Sequence, residues 1–298
     1  MIKQRNYKIA YNNMQKLIDI LNMSIDYLEK YKIDSPRLTA QYILGNVLEM
    51  KPMELYQNFD KPIKKEEIDK IRKNLIRRAK DREPFQYILG YEEFYGYKFE
   101  VDRNVLIPRP ETELLVELVL KKIENIESPK ILDIGCGSGA IGITIALERE
   151  DSVVLGVDIS EKALEISEKN KNNNNVKNIK FMQSDIFSNV KYNEFDVIIS
   201  NPPYIIEEDY KNLMLEVKHE PKLALVAEDN GYYFYKKITE NANYFLKNGG
   251  ILVFELGIGQ DEIVKKYMLE NNFSNILIEK DYEKINRIIL GEKNVKSI

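Results

Sequence analysis

The turn Asp133-Ile134-Gly135-Cys136-Gly137-Ser138-Gly139-Ala140 constrains the fold more than any other feature of this sequence. An apolar run enters it and a helix-forming stretch leaves it. Its glycines let the backbone approach a ligand where a Cβ would intrude, as in the first turn of a nucleotide-binding α/β sheet. Short apolar runs at 131–134, 153–157, 179–182, 197–200 and 251–255 then alternate with amphipathic helical stretches, the pattern of a parallel sheet covered by helices on both faces. Two more runs, 275–278 and 287–290, lie close together and predict an antiparallel pair at the sheet edge. The expected fold is a doubly wound, Rossmann-like α/β domain on a seven-stranded mixed sheet. No internal repeat is visible, and Asn172 to Asn175 predict a solvated loop.

Upstream the texture is helical. Met14, Leu17, Ile18, Leu21, Ile25 and Leu28 share one helical face, as do Ile68, Ile71, Leu75, Ile76 and Ala79. Ser35 before Pro36 has the form of an N-cap and first helical residue, and the helix it opens presents Ile43, Leu44, Val47 and Leu48. Pro84 closes this small domain, and aromatic and β-branched residues punctuated by Gly90 and Gly96 predict a hairpin linker. The prolines of Ile107-Pro108-Arg109-Pro110 stiffen the chain before a helix starting near Glu111. The expected division is a helical domain over 1–84, a β-hairpin linker over 85–108 and the α/β domain over 109–298.

Composition narrows the function classes. A chain of 298 residues with 44% hydrophobic and 31% charged residues is globular and long enough for one large domain and one small. The single cysteine, Cys136, rules out an internal disulfide framework, and the first residues lack a secretory apolar core, so a cytoplasmic location is expected. No run approaches the ~18 apolar residues of a membrane span. The formal net charge of -4 argues against broad binding to a phosphate backbone and favours protein or small-molecule partners.

The glycine turn alone fits two cofactors, because Gly135, Gly137 and Ala140 also match a dinucleotide pattern. Asp158, about 20 residues on at the end of the second strand, can accept ribose hydroxyls in either case. Two residues separate the readings. Asp133 would repel a pyrophosphate but suits the cationic amino-acid end of S-adenosylmethionine, and Asp185 after the third strand suits an adenine amino group. The structural alternative for Asp185 is a helix N-cap. With three acidic residues in register, S-adenosylmethionine is the expected cofactor, with Asp133, Gly135, Gly137, Gly139, Asp158, Asp185 and Asn201 around it and S-adenosylhomocysteine as product. Cys136 has no activating neighbour and reads as a loop filler.

The run 195–200 delivers Asn201-Pro202-Pro203-Tyr204 at a strand's carboxyl end, where doubly wound folds hold their ligands. Consecutive prolines stiffen the turn. A carboxamide nitrogen is a poor nucleophile because its lone pair is delocalised into the carbonyl. Were the Asn201 side-chain oxygen and the Pro202 carbonyl each to accept one N–H, that nitrogen would be aimed at the methyl donor with Tyr204 stacked on the planar group. Asn201, Pro202 and Tyr204 are therefore the candidate catalytic residues, against a strand-ending turn as the bland reading. Methylation of an exocyclic base amino group, adenine N6 or guanine N2, is the first alternative, nicotinamide-dependent oxidoreduction the second, and a non-catalytic binding module the third.

The whole pattern resembles the release-factor glutamine methyltransferases, the HemK/PrmC family. The resemblance is nearly full length and rests on Ser35-Pro36-Arg37, Phe85-Gln86-Tyr87-Ile88-Leu89-Gly90, Ile107-Pro108-Arg109-Pro110-Glu111-Thr112-Glu113, the glycine turn, Asn201-Pro202-Pro203-Tyr204, Glu220-Pro221 with Ala224-Leu225, and Asp281-Tyr282 with Arg287. It implies N5-methylation of the glutamine in the Gly-Gly-Gln motif of class 1 peptide release factors. It further implies Asn201, Pro202 and Pro203 at the acceptor amide, Asp158 at the ribose, Asp185 at the adenine, and Phe94 and Pro108 to Pro110, Arg109 included, walling the site. The helical domain would dock the release factor. No metal, membrane or stable nucleic-acid partner is implied, and a monomer is expected. His219 departs from the aromatic residue the family pattern leads one to expect before Glu220-Pro221, and Glu255 is open between a structural role and a place in the cofactor pocket.

Overall fold

A computed structural model describes residues 15–294, which form two compact units meeting in sequence at Leu89 and Gly90. Met14, expected on the first helical face, lies outside the described residues.

The first unit is built from α1 (Leu17–Lys30), α2 (Pro36–Leu48), α3 (Pro52–Gln57), α4 (Lys65–Ala79) and α5 (Phe85–Leu89). The expected faces are the ones buried: Leu17, Leu21 and Leu28 of α1 pack with Ile43 and Leu44 of α2 and Ile71 and Leu75 of α4. Two details differ from expectation. Ser35 precedes α2 but adopts a left-handed backbone with φ 49° and makes no side-chain cap, so Pro36 starts the helix through its fixed φ alone. The segment expected to begin a hairpin linker at 85 is instead α5, whose Tyr87 N–H bonds the Pro84 carbonyl at 3.1 Å and whose Phe85 ring stacks on Tyr42 at 5.7 Å. Burial against this unit overrides the strand propensity of Phe85, Tyr87 and Ile88.

The second unit opens with a hairpin, β1 (Tyr91–Phe94) and β2 (Tyr97–Glu100). Its two-residue turn has φ 53° at Tyr95 and 77° at Gly96, the doubly left-handed geometry that matches strand twist. The hairpin, expected as a linker, belongs to the second unit. The Asn170 side chain accepts from Glu100 N–H at 2.6 Å and donates to the Glu100 and Ser138 carbonyls, tying β2 to the glycine turn. Phe94 and Phe99 meet edge-on beneath it, both buried.

There follow α6 (Pro110–Lys122), β3 (Lys130–Ile134), α7 (Ala140–Glu148), β4 (Val153–Asp158), α8 (Glu161–Asn173), β5 (Ile179–Gln183), β6 (Phe195–Ser200), α9 (Glu207–Tyr210), α10 (Tyr233–Phe245), β7 (Leu246–Glu255), α11 (Asp261–Glu270), β8 (Phe273–Lys280) and β9 (Asn286–Lys293). The seven-stranded sheet runs β5-β4-β3-β6-β7-β9-β8, parallel except for β9, which is antiparallel to both neighbours. Alternate strand residues feed two cores. Ile131, Val197, Ile199 and Val253 face α6 and α7, while Leu132, Ile198, Leu252 and Phe254 face α10 and α11. The strand order reverses between β3 and β6, and a crevice opens there at the carboxyl ends.

Candidate active site

A cavity of about 400 Å³ fills that crevice, within the size range of small-molecule sites. The glycine turn forms its floor. Gly135 and Gly137 have φ of 72° and 55°, and a Cβ on either would project into open space beside the cavity, so absent side chains leave room for a ligand. Gly139 answers to a different need. A Cβ there would come within 3.0 Å of Ser167 and Phe181, and its φ of 81° opens α7, so it is a packing glycine outside the cavity lining.

Asp158 ends β4 at the cavity wall, and its two oxygens accept the Gly137 and Ser160 backbone N–H groups, each at 2.9 Å. Each oxygen keeps a lone pair for a ligand hydroxyl. Burial pushes its carboxyl above the ordinary aspartate value, against the lowering effect of those N–H bonds. Asp185 also lines the cavity and is exposed. A tight turn follows it, closed by Ser188 N–H to the Asp185 carbonyl at 2.9 Å, so no helix exists for it to cap.

Asp133 is placed otherwise than expected. It is fully buried, outside the cavity lining, and accepts the Gly142 N–H at 3.1 Å through Oδ2, while Oδ1 has no partner. Alternation along β3 turns it towards α7, on the side away from the cavity lining, and burial raises its pKa to about 7. Its work is to hold the strand to the helix across the glycine turn. Cys136 is buried, its thiol pushed well above the usual value by burial and by Asp133 and Asp158, which suits filling and not nucleophilic attack.

On the other side of the crevice, Asn201, Pro202 and Pro203 follow β6 and line the cavity. Neither Asn201 Oδ1 nor the Pro202 carbonyl accepts a hydrogen bond from the described residues. The Asn201 amide nitrogen donates to Thr112 Oγ1 at 3.4 Å, and Thr112 donates to Glu255 Oε2 at 2.5 Å. The turn is fastened downstream by Ile205 N–H to the Leu225 carbonyl and Gln260 Nε2 to the Tyr204 carbonyl. Gly231 makes this possible, since a Cβ there would sit 2.3 Å from the Tyr204 oxygen.

Three expected site residues, the stacking Tyr204 and the wall residues Phe94 and Arg109, stand outside the cavity lining. Tyr204 stands outside the cavity lining, its ring over Gly257, with its hydroxyl pushed up to about 12 by burial and by Glu255. Phe94 is 1% exposed in the core with Phe99 and has no surface to offer a substrate. Arg109 is paired with Glu220, whose other oxygen accepts Ile107 N–H at 3.0 Å, so the pair pins the proline segment instead of lining the cavity. Walls come instead from Asn104 to Leu106, from residues between Pro221 and Glu228, and from Tyr233 and Phe234; of these only Pro221 and Ala224 belong to a run that the sequence singled out. Glu255 is buried and lies outside the cavity lining. Among the described residues no group of His, Cys, Asp or Glu could hold a metal ion.

Comparison with known proteins agrees with this architecture. Residues 19–90 match the family model described as PrmC N-terminal domain, and residues 110–220 match the Methyltransferase small domain. The fold is shared with a methyltransferase from Pyrococcus furiosus, 21% identical over 68% of this chain and 91% of that one, TM-score 0.52. It is shared also with the T. thermophilus 16S rRNA N2 G1207 methyltransferase solved with AdoMet and guanosine, 19% identical over 68% of this chain and 50% of that one, TM-score 0.51. Likeness at that level shows a methyltransferase fold and nothing narrower. The release factor glutamine methyltransferase of Chlorobaculum tepidum is 38% identical over 91% of this chain and 95% of its own length. With its counterpart from Fusobacterium nucleatum the identity is 43% over 94% of this chain and 80% of the relative, and so the chain belongs to the release factor glutamine methyltransferase family.

Proposed function

We propose that this methyltransferase transfers a methyl group from S-adenosylmethionine to the side-chain amide nitrogen of the glutamine in the Gly-Gly-Gln motif of class 1 peptide chain release factors, acting as a monomer in the cytoplasm. The observation that carries the reading is the pair of unpartnered acceptors, Asn201 Oδ1 and the Pro202 carbonyl, at the mouth of a cavity floored by side-chain-free glycines. Bound there, S-adenosylmethionine supplies an electrophilic methyl group on a sulfonium. The chain's own residues do the remaining work. Asp158 takes the ribose hydroxyls, Gly135 and Gly137 leave space beside the glycine turn, and Asp185 receives the adenine amino group. Asn201 and Pro202 accept the two amide N–H groups, which turns the nitrogen's remaining lobe toward the methyl donor. No strong base is required, because the nitrogen becomes acidic as the new bond forms and its proton leaves to water. The apolar walls limit competing water.

Methylation of a nucleic-acid base amino group is the competing reading, and the acidic net charge of -4 disfavours it. Nicotinamide-dependent oxidoreduction has no support once the family is known. Incubating the protein with the methyl donor and a purified release factor, then locating the added 14 Da by tandem mass spectrometry, tests the proposal. Label on the Gly-Gly-Gln glutamine is the expected result, and label appearing only in added RNA or DNA would sink it.

Asp158→Ala is expected to weaken S-adenosylmethionine binding by about 10- to 100-fold, because two charge-assisted hydrogen bonds are removed, with kcat at saturating cofactor changed less than threefold. Isothermal titration with parallel initial rates checks this, and an unchanged Kd would remove Asp158 from the site.

A further inference from the structure

The Asn201 carboxamide is useful only if its oxygen, and not its nitrogen, faces the acceptor. Nothing in Asn201 itself decides that, since the two ends are nearly the same size. The decision lies behind it, in the buried pair Thr112 and Glu255. β6 and β7 run side by side with Ser200 opposite Phe254, so Asn201 leaves one strand next to where Glu255 ends the other. Thr112, in the first turn of α6, stands between them.

We propose that Thr112 and Glu255 are positioning residues that set which end of the Asn201 carboxamide faces the cavity. The inference rests on Asn201 being the acceptor clamp. A threonine hydroxyl has one proton. While Glu255 is ionised it can only accept, so the Thr112 proton goes to Glu255 Oε2 and the remaining lone pairs of Thr112 Oγ1 can be met only by the amide N–H of Asn201. Oδ1 is then turned outward. When Glu255 is protonated it can donate to Thr112, whose own proton becomes available to Asn201 Oδ1. The carboxamide reverses and the clamp loses its acceptor.

The groups facing Glu255 are Glu111 and Arg109 at the start of α6, Arg287 of β9 and Tyr204 of the acceptor turn, while Tyr235 of α10 donates to its backbone carbonyl at 2.9 Å. Burial outweighs Thr112 and the two arginines and raises the Glu255 pKa to about 7. Activity therefore rises with pH through the neutral range. Neither a glutamine amide nor Asn201 titrates there, so an acid limb in kcat at saturating cofactor reports a coupled group.

The test is kcat against pH from 5.5 to 8.5 for the parent, Thr112→Val, Thr112→Ser, Asn201→Ala and the double variant Thr112→Val with Asn201→Ala. Thr112→Val is expected to lower kcat by about 10- to 30-fold at pH 8, the size of one lost buried hydrogen bond at a catalytic group, and to flatten the acid limb. Thr112→Ser, which keeps the hydroxyl, recovers most of the loss and restores the limb. In the Asn201→Ala background Thr112→Val costs less than about twofold, because residues acting as one unit are not additive. A merely structural threonine would give an additive double variant and an undisturbed pH profile. Should Thr112→Val keep the limb or stay within about twofold of the parent while Asn201→Ala is inactive, the positioning role is overturned and the clamp stands. Full turnover in Asn201→Ala would overturn both.

Discussion

Asn201→Ala is expected to lower kcat about a thousandfold while the Kd for S-adenosylmethionine stays within about threefold, the loss being of the size seen when one preorganised polar group is removed from a transition-state site. The split follows from where the two jobs are done. Contacts proposed for the cofactor lie on the glycine turn, β4 and the turn after β5, all on the far side of the strand reversal from Asn201. The acceptor contacts lie on the stiff turn after β6, whose position is held by Pro202 and Pro203, by Gly231 under the Tyr204 carbonyl, and by Gln260. Removing the Asn201 side chain takes away one of two N–H acceptors and leaves that backbone in place. The Pro202 carbonyl still binds one N–H, but a planar amide held at one point rotates, and the fraction of time its nitrogen faces the methyl group collapses. Single-turnover rates with a release-factor peptide, set beside calorimetric cofactor binding, measure the two quantities separately. A loss of cofactor affinity matching the loss in rate would contradict the division of labour.

Much of this site was legible from residue order because the fold writes it in local runs. The inner strands of the parallel sheet are covered on both faces, so 131–134, 153–157 and 197–200 read as short, mainly apolar segments with little to confuse them with. The glycine turn and Asn201-Pro202-Pro203-Tyr204 each occupy consecutive positions at strand ends. What sequence could not yield was direction and distance. Asp133 precedes the first glycine as a cofactor ligand would, but strand alternation points it at Gly142. Gly139 looks identical to Gly135 and Gly137, yet it is crowded by Ser167 and Phe181, residues remote in sequence. Phe85, Tyr87 and Ile88 carry strand-like side chains, yet the segment forms a helical turn that buries Tyr87 and Ile88. The Thr112 and Glu255 contact spans 143 positions, and neither residue belongs to the turn it supports. Arg109 and Glu220 are likewise 111 apart. Side chains that position others across the sheet leave no spacing in the chain to be found.

The stability of the free protein is expected to fall as pH rises from 5 to 7.5, with Asp133→Asn removing a large share of the fall and Asp158, which burial also raises, adding to the remainder. Asp133 and Glu255 are both buried carboxyls whose folded pKa values are raised to about 7, from ordinary values of 3.8 and 4.5. A raised folded pKa means the native state holds the proton more tightly than the unfolded chain. The stabilisation is therefore complete below the unfolded value and is lost as pH climbs through the folded one. Each group contributes at most about 1.4 kcal/mol per pH unit and less near either pKa, so roughly 2 kcal/mol each is lost between pH 5 and neutrality. Asp60, Asp151 and Asp281 are shifted the other way, and their contribution is lost only as pH falls through values below 3.8, outside the window. Asp133 is the cleaner of the two to change. Asn keeps the carbonyl that accepts Gly142 N–H and is neutral at every pH, whereas the carboxylate must ionise with Oδ1 unpartnered in the core. Urea midpoints for both proteins at pH 5, 6, 7 and 7.5 decide the matter. The variant should match or trail the parent at pH 5, where Asp133 is protonated, and overtake it by neutrality. Parallel curves across the range would mean that Asp133 is ionised throughout and that the Gly142 N–H and its surroundings already compensate the charge.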